Sequence, residues 1–165
     1  MEENIDIYSH LGDNESQDIK VTEKLTGSER LDKLETELQK QRSSWGITIS
    51  DMVKQLKNID DLVDAQIIML SQRQVLVDIL TKFRIRSSKL TALYDKEYKR
   101  IYQTYFNYDY ILNHKEKDAM TVADLNLYTR QLGLLESQSN FFQESIKTID
   151  QMAWAIKNRI KVEEI

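Results

Sequence analysis

The sequence predicts an all-α protein built from long helices, and three observations carry that prediction. Proline is absent and glycine occurs only four times in 165 residues, which leaves little of the turn chemistry that a sheet of many short strands requires. Apolar residues recur at spacings of three and four over long stretches, the period of a helix face and not the alternation of a half-buried strand. With 41% apolar residues, the chain has the size of one domain with a modest core. The expected architecture is a long-helix hairpin or bundle with a coiled-coil-like C-terminal helix, assembling into a homo-oligomer.

Residues 1–27 are rich in Glu, Asp, Asn, Ser and Thr, and their scattered apolar residues follow neither period, so they read as an acidic, disordered tail. The remainder, 28–165, reads as a single helical domain. Ser28 is placed as an N-cap with Glu29 in the first turn, and Leu31, Leu34 and Leu38 mark one face of a short helix over 28–43. The stretch "SWGITIS" then interrupts it with Gly46 and β-branched residues. Ser50 and Asp51 reopen a helix whose apolar positions begin at Met52, Leu56, Ile59, Leu62 and Val63 and continue to Tyr105. The pattern predicts a long or broken helix over 50–106, with candidate breaks near Asp60 and near Ser87 and Ser88. Residues 107–119 read as a connector. Thr121 followed by Asp124 resembles a capping box, and helical periodicity then runs through a C-terminal helix over 121–161.

That last helix carries a seam. Leu125, Tyr128, Leu132, Leu135, Ser139, Phe142, Ile146, Ile149, Ala153, Ile156 and Ile160 alternate at spacings of three and four without a slip, which keeps one face toward a partner helix over five heptads. The partner is either the long helix of the same chain, giving an intramolecular hairpin, or another subunit.

The formal charge of −4 is unevenly spread. Residues 1–40 carry 11 acids and 5 bases, whereas residues 82–100 carry seven bases against Asp95 and Glu97, a local net of +5. On a helix at about 100° per residue, Lys82, Arg86, Lys89, Lys96 and Arg100 fall in an arc of roughly 80°, while Arg84 and Lys99 flank it. A row of point charges suits the recurring phosphates of a flexible strand, and tyrosines suit unpaired bases that need flat surfaces to stack on. Tyr94, Tyr98, Tyr102 and Tyr105 recur at spacings of 4, 4 and 3, and Tyr98 and Tyr102 are the expected stacking residues. The competing reading is plainer: a solvated helix face, with tyrosines closing the core and their hydroxyls at its rim.

Other chemistry finds little support. His10 and His114 are isolated and cysteine is absent, so neither a zinc site nor thiol chemistry suggests itself. No G-x-x-x-x-G-K-[ST] or G-x-G-x-x-G loop occurs. Asp60, Asp61 and Asp64 read as helix-start electrostatics, with a magnesium site as the less favoured reading. No nucleophile and base pair emerges, and the expectation is a non-enzyme without cofactor. The opening residues are acidic and no apolar run reaches membrane-spanning length, so a soluble, cytoplasmic protein is expected.

The stretch "MVKQLKNIDDLVDAQIIMLSQRQVLVDILTKFRIRSSKLTALYDKEYKRIYQTYF", followed by a polar connector and then "SNFFQESIKTIDQMAWAIKNRI", resembles the UvsY family of recombination mediators from T-even-type phages. The resemblance covers residues 47 to 160 and rests on a charged leading helix, a basic helix ending in paired aromatics at Tyr105 and Phe106, and a final aromatic-Ala-Ile-Lys stretch, Trp154 to Lys157. It implies a helical oligomer, in the host cytoplasm, that binds single-stranded DNA, weakens the hold of the single-strand-binding protein and helps load a RecA-like recombinase. It further implies that the basic pair before the aromatics, Lys99 and Arg100, contacts DNA, and that the C-terminal helix mediates assembly through the seam residues Leu132, Leu135, Phe142, Ile146, Ile149, Ile156 and Ile160. Residues 1–46 have no counterpart in that family. The alternative expectation is a helical phage scaffold or assembly adaptor that binds protein partners through the seam.

Overall fold

The computed structural model describes residues 26–56, 62–107 and 112–163. The expected acidic tail therefore lies outside the described residues except for Thr26 and Gly27, as do Asp60, Asp61 and residues 108–111 of the expected connector. Four helices and no strand occur among the described residues: α1 (Gly27–Gln55), α2 (Leu62–Phe106), α3 (His114–Asp124) and α4 (Asn126–Glu163). The chain is all-α, and none of its described helices is long and apolar enough to cross a membrane.

The start of α1 is set by reciprocal capping. Thr26 Oγ1 accepts a hydrogen bond from the Glu29 amide at 3.3 Å, and Glu29 Oε2 accepts from the Thr26 amide at 2.7 Å. Those bonds, the backbone one foremost, hold the Glu29 carboxyl below its ordinary pKa. Ser28, the expected cap, has Leu31 three residues on, and an aliphatic side chain cannot return a bond; the Thr26–Glu29 pair makes a complete box two residues earlier.

No interruption occurs at "SWGITIS". α1 passes through Gly46 because Trp45 and Ile49 pack against the core and Met52 is buried on the same face, and that burial outweighs the roughly 1 kcal/mol by which glycine disfavours a helix interior. An added Cβ at Gly46 would meet nothing within 4 Å. Gly46→Ala is expected to stabilise the fold by about 0.5–1 kcal/mol, seen as a rise of about 1–4 °C in the thermal midpoint. A lowered midpoint would contradict this account of the helix.

The break expected near Asp60 falls between α1 and α2, so the anticipated 50–106 helix is two elements. No break occurs at Ser87 and Ser88: Phe83 and Leu90 are buried on either side of them, and Thr91 donates its hydroxyl to the Ser87 carbonyl at 3.0 Å. α2 thus runs 45 residues, about 67 Å. Part of the expected connector is α3, whose capping box is Asn113 with Glu116, bonded reciprocally at 2.9 and 2.8 Å. Thr121 is not a cap. It is buried in the last turns of α3, with Oγ1 donating to the Lys117 carbonyl at 2.8 Å. The chain turns at Leu125, whose buried side chain anchors the junction before α4 begins.

α4 is the central element. Arg73 on α2 makes a two-pronged ion pair with Asp150 on α4, and Phe83 meets Phe142 at 5.5 Å between ring centroids. Higher positions on one helix meet lower positions on the other, so the pair is antiparallel. α1 lies on another side of α4 and runs parallel to it. Arg130 reaches Asp32 and Glu35 at 2.6 and 2.9 Å, Arg42 reaches Gln138 and Ser137 at 2.6 and 2.8 Å, and Arg159 donates to the Leu56 carbonyl at 3.1 Å at the far end. Gln138, buried, also donates to Gln41 at 3.2 Å, and no buried side-chain polar atom among the described residues lacks a partner.

The heptad seam is filled from within the chain. Leu135, Phe142, Ile149 and Ile156 are buried, and Leu132, Ile146 and Ile160 are partly buried against the same core, alongside Met69, Leu76, Leu80, Phe83 and Leu90 of α2. Residues expected to join subunits are thus engaged in the hairpin of one chain, because the antiparallel return of α4 brings its own α2 against that face.

Candidate nucleic-acid interface

α2 carries the basic row on its outward side. Its core-facing residues, Leu76, Leu80, Phe83 and Leu90, centre about 120° around the helix from the arc of Lys82, Lys89, Lys96 and Arg100. Lys82, Lys89, Lys96 and Arg100 are accordingly exposed. Lys82 to Arg100 spans about 27 Å of helix. Among the described residues, Lys82, Lys89 and Lys96 make no ion pair with a carboxylate; Arg100 Nε donates to Glu97 Oε2 at 2.7 Å and remains exposed.

The other expected cations are placed differently. Arg86, on the core-facing edge of the arc, is half-buried, and burial lowers its guanidinium pKa. Arg84 points to an open groove between α2 and α4, where Ser87, Ser88, Thr91 and Ser139 supply hydroxyls and Glu136 a carboxylate. Lys99 is exposed but sits about 85° from the centre of the row. The structure therefore brings together Lys82, Lys89, Lys96 and Arg100, with Arg84, Arg86 and Lys99 as neighbours on other sides.

The tyrosines form a ladder. Tyr94 and Tyr98 stack at 6.3 Å between centroids, Tyr98 and Tyr102 at 6.0 Å, and Tyr102 and His114 of α3 at 5.9 Å. Their hydroxyls are tied to α3 as well: Tyr98 donates to Asp118 at 2.6 Å, Tyr102 shares a 2.6 Å bond with His114 Nδ1, and Tyr105 donates to Asp124 at 2.6 Å. The bond to Asp118, with burial and the carboxylate's charge added, pushes the Tyr98 pKa up to about 12, so it stays a neutral phenol. Tyr98 and Tyr102, expected to stack on bases, have ring neighbours on both sides, and their first role is to dock α3. Phe106, exposed at the end of α2, lies under the Lys117 ammonium at 4.6 Å.

His114 and Asp118 escape the sequence reading as partners of the tyrosines because 107–119 reads as a connector, and Asp124 reads as the capping-box partner of Thr121 and not as the acceptor of Tyr105. The signal that finds them is the N-x-x-E box at Asn113–Glu116, which opens a helix with His114 and Asp118 one turn apart. Tyr128, at the start of α4, packs beside this end of α2, and its phenol pKa is raised by burial first and by the Glu97 charge second, against the opposing influence of Arg100.

Within the described residues no three His, Cys, Asp or Glu side chains converge as a metal-binding group. Compared with known proteins, the chain matches no protein-family model, no curated protein and no solved structure.

Proposed function

We propose that this chain is a non-enzymatic protein that binds single-stranded DNA and acts as a mediator, helping a RecA-like recombinase load onto DNA covered by single-strand-binding protein. The observation that carries the binding reading is the exposed row Lys82, Lys89, Lys96 and Arg100 on the outer side of a 45-residue helix in an otherwise acidic chain. Phosphates of an unpaired strand recur along a flexible backbone, and a straight row of ammonium and guanidinium groups meets them without reading base edges. Among the described residues no cluster of Asn, Gln or Arg of the kind that reads base edges in a duplex groove accompanies the row. The mediator role is supported by the resemblance to the UvsY family over residues 47 to 160.

Four cations are a weak grip in physiological salt. Several subunits in one particle would raise the effective concentration of the remaining contacts once the first is made, which is why a homo-oligomer belongs to the proposal.

The test is fluorescence anisotropy of a labelled single-stranded oligonucleotide titrated with the full chain at 50 and 200 mM salt. With about 0.7 logarithmic units of slope per neutralised phosphate, four cations on one subunit predict about a 50-fold loss of affinity across that range, and more for an assembly. Binding indifferent to salt would reject the reading.

A second reading, a helical adaptor for protein partners, is favoured by the apolar side chains exposed on the first half of α2. An assembly that ignores the oligonucleotide at both salt concentrations would select it.

A further inference from the structure

The outer face of α2 changes chemistry along its length. In an arc of roughly 160° at 100° per residue, the part of α2 from Lys82 onward presents Lys82, Lys89, Lys96 and Arg100 with the single exposed aliphatic Ile85 among them, whereas the part before it presents Val63, Ile67, Ile68, Leu70 and Val75. These five are all exposed, Val63 and Ile67 at 62% and Leu70 at 50%. Between Leu62 and Val77 the arc holds one charged residue, Asp64; Arg73 faces α4 and is paired with Asp150. Trp154 of α4, 68% exposed, extends this face. The Arg73–Asp150 pair fixes the level: one turn back along α2 is Leu70, and one turn forward along antiparallel α4 is Trp154.

Such a face amounts to on the order of 500 Å² of apolar surface, at the upper end of what a monomer leaves in water and most of the roughly 800 Å² that each partner of a stable interface covers. In a chain that is 30% charged, a stretch of exposed helix with a single charged residue, Asp64, on its outer arc has no solubility role.

The geometry points to a second copy of this chain as its occupant: the first half of α2 with Trp154 is the self-association surface, and the heptad seam of α4 is not. Composition favours a copy over residues 1–25. Those residues carry seven acids and two bases, a composition suited to the cationic half of α2. A second copy brings the same apolar face, whose one charged residue, Asp64, sits in the first turn of α2 at the end of the contact and not at its centre. The arrangement also leaves the cationic half of every α2 open, which joins several rows in one particle. That consequence rests on the proposed binding of single strands; the interface itself does not.

Sedimentation velocity of the full chain at tens of micromolar tests the surface, with circular dichroism as the check on folding. The wild type is expected to sediment at a multiple of 19.5 kDa. Ile67→Glu and Trp154→Glu, both at exposed positions, are each expected to weaken self-association by at least about 100-fold, because an unpaired carboxylate would be buried at the contact, and to sediment at one chain mass with helicity unchanged. Ile47→Glu, at an exposed site on α1, is expected to keep the wild-type mass. A wild type that stays at 19.5 kDa overturns the inference, whether residues 1–25 or a different protein then covers the face, and so does an assembly that both variants leave intact. Oligonucleotide anisotropy on the same samples reads the functional proposal separately. An assembly that fails to bind DNA leaves the interface standing, and a monomer that binds DNA leaves the binding reading standing without it.

Discussion

Replacing Lys89 and Lys96 together by glutamate is expected to lower affinity for single-stranded DNA by about 100-fold at 0.1 M salt. These two side chains lie near the middle of the outward row, are exposed, and have no carboxylate partner among the described residues, so their charge is available to a phosphate. Each phosphate neutralised contributes about 0.7 logarithmic units per decade of salt, so losing two contacts costs about 25-fold at 0.1 M, and placing two carboxylates against the strand adds repulsion to the loss. The salt slope should fall by about 1.4 at the same time. Titration of a labelled oligonucleotide across a salt series measures both quantities. The Lys99 and Arg100 pair implied by the resemblance is a less decisive target, because Arg100 already bonds Glu97 and Lys99 projects about 85° from the centre of the row. Lys33→Glu on α1, the same charge reversal at one exposed site away from the row, should shift affinity by only a few-fold. If the double variant binds as tightly as the wild type, the row is an ordinary solvated face.

What the sequence disclosed and what it hid divide along a physical line. Periodicity reveals which side of a helix is apolar, and it placed the core positions Leu76, Leu80, Phe83, Leu90, Leu135, Phe142 and Ile149 on inward faces. It is silent on what covers that side. The 3–4 repeat from Leu125 to Ile160 is the same whether its partner is a neighbouring subunit or the chain's own α2, and only the antiparallel pairing seen at Arg73–Asp150 and Phe83–Phe142 distinguishes them. Local breakers misled for the same reason. Gly46 and the Ser87–Ser88 pair weaken a helix in isolation, but each lies between buried neighbours whose packing is worth more than the propensity lost.

The candidate site shows the same limit. Lys82, Lys89, Lys96 and Arg100 fell on one arc by spacing alone, and their solvent exposure follows from the opposite arc being apolar. The tyrosines at spacings of four were equally visible, but their hydroxyl partners come from α3, twelve to twenty residues further on. No pattern within α2 announces a partner that arrives from another helix. The rings that looked free to receive bases are held in a ladder, and the second half of α2 owes its fixed end to that ladder.

The row depends on α2 staying straight and pinned to α4, which makes Phe142 the position with the largest expected effect on stability. Its ring is fully buried, at 0% exposure, and meets Phe83 at 5.5 Å and Phe141 at 5.6 Å. Phe142→Ala removes the ring and leaves a cavity that helices tied on both flanks cannot close, since Arg42 holds α1 to Gln138 one turn below and Arg73 holds α2 to Asp150 two turns above. The expected cost is about 3–5 kcal/mol, a large share of the roughly 5–15 kcal/mol available to a domain. It should appear in urea denaturation as a lower midpoint with an unchanged slope. Phe142→Leu keeps most of the volume and should lose less than about half as much, while Phe106→Ala, at a position 66% exposed, should change stability by about 0.5 kcal/mol or less. A Phe142→Ala cost near that of Phe106→Ala would mean the α2–α4 contact is not the centre of the core. Molecules that remain folded should bind oligonucleotide with the wild-type salt slope, because the cations of the row are exposed on the outward side of α2.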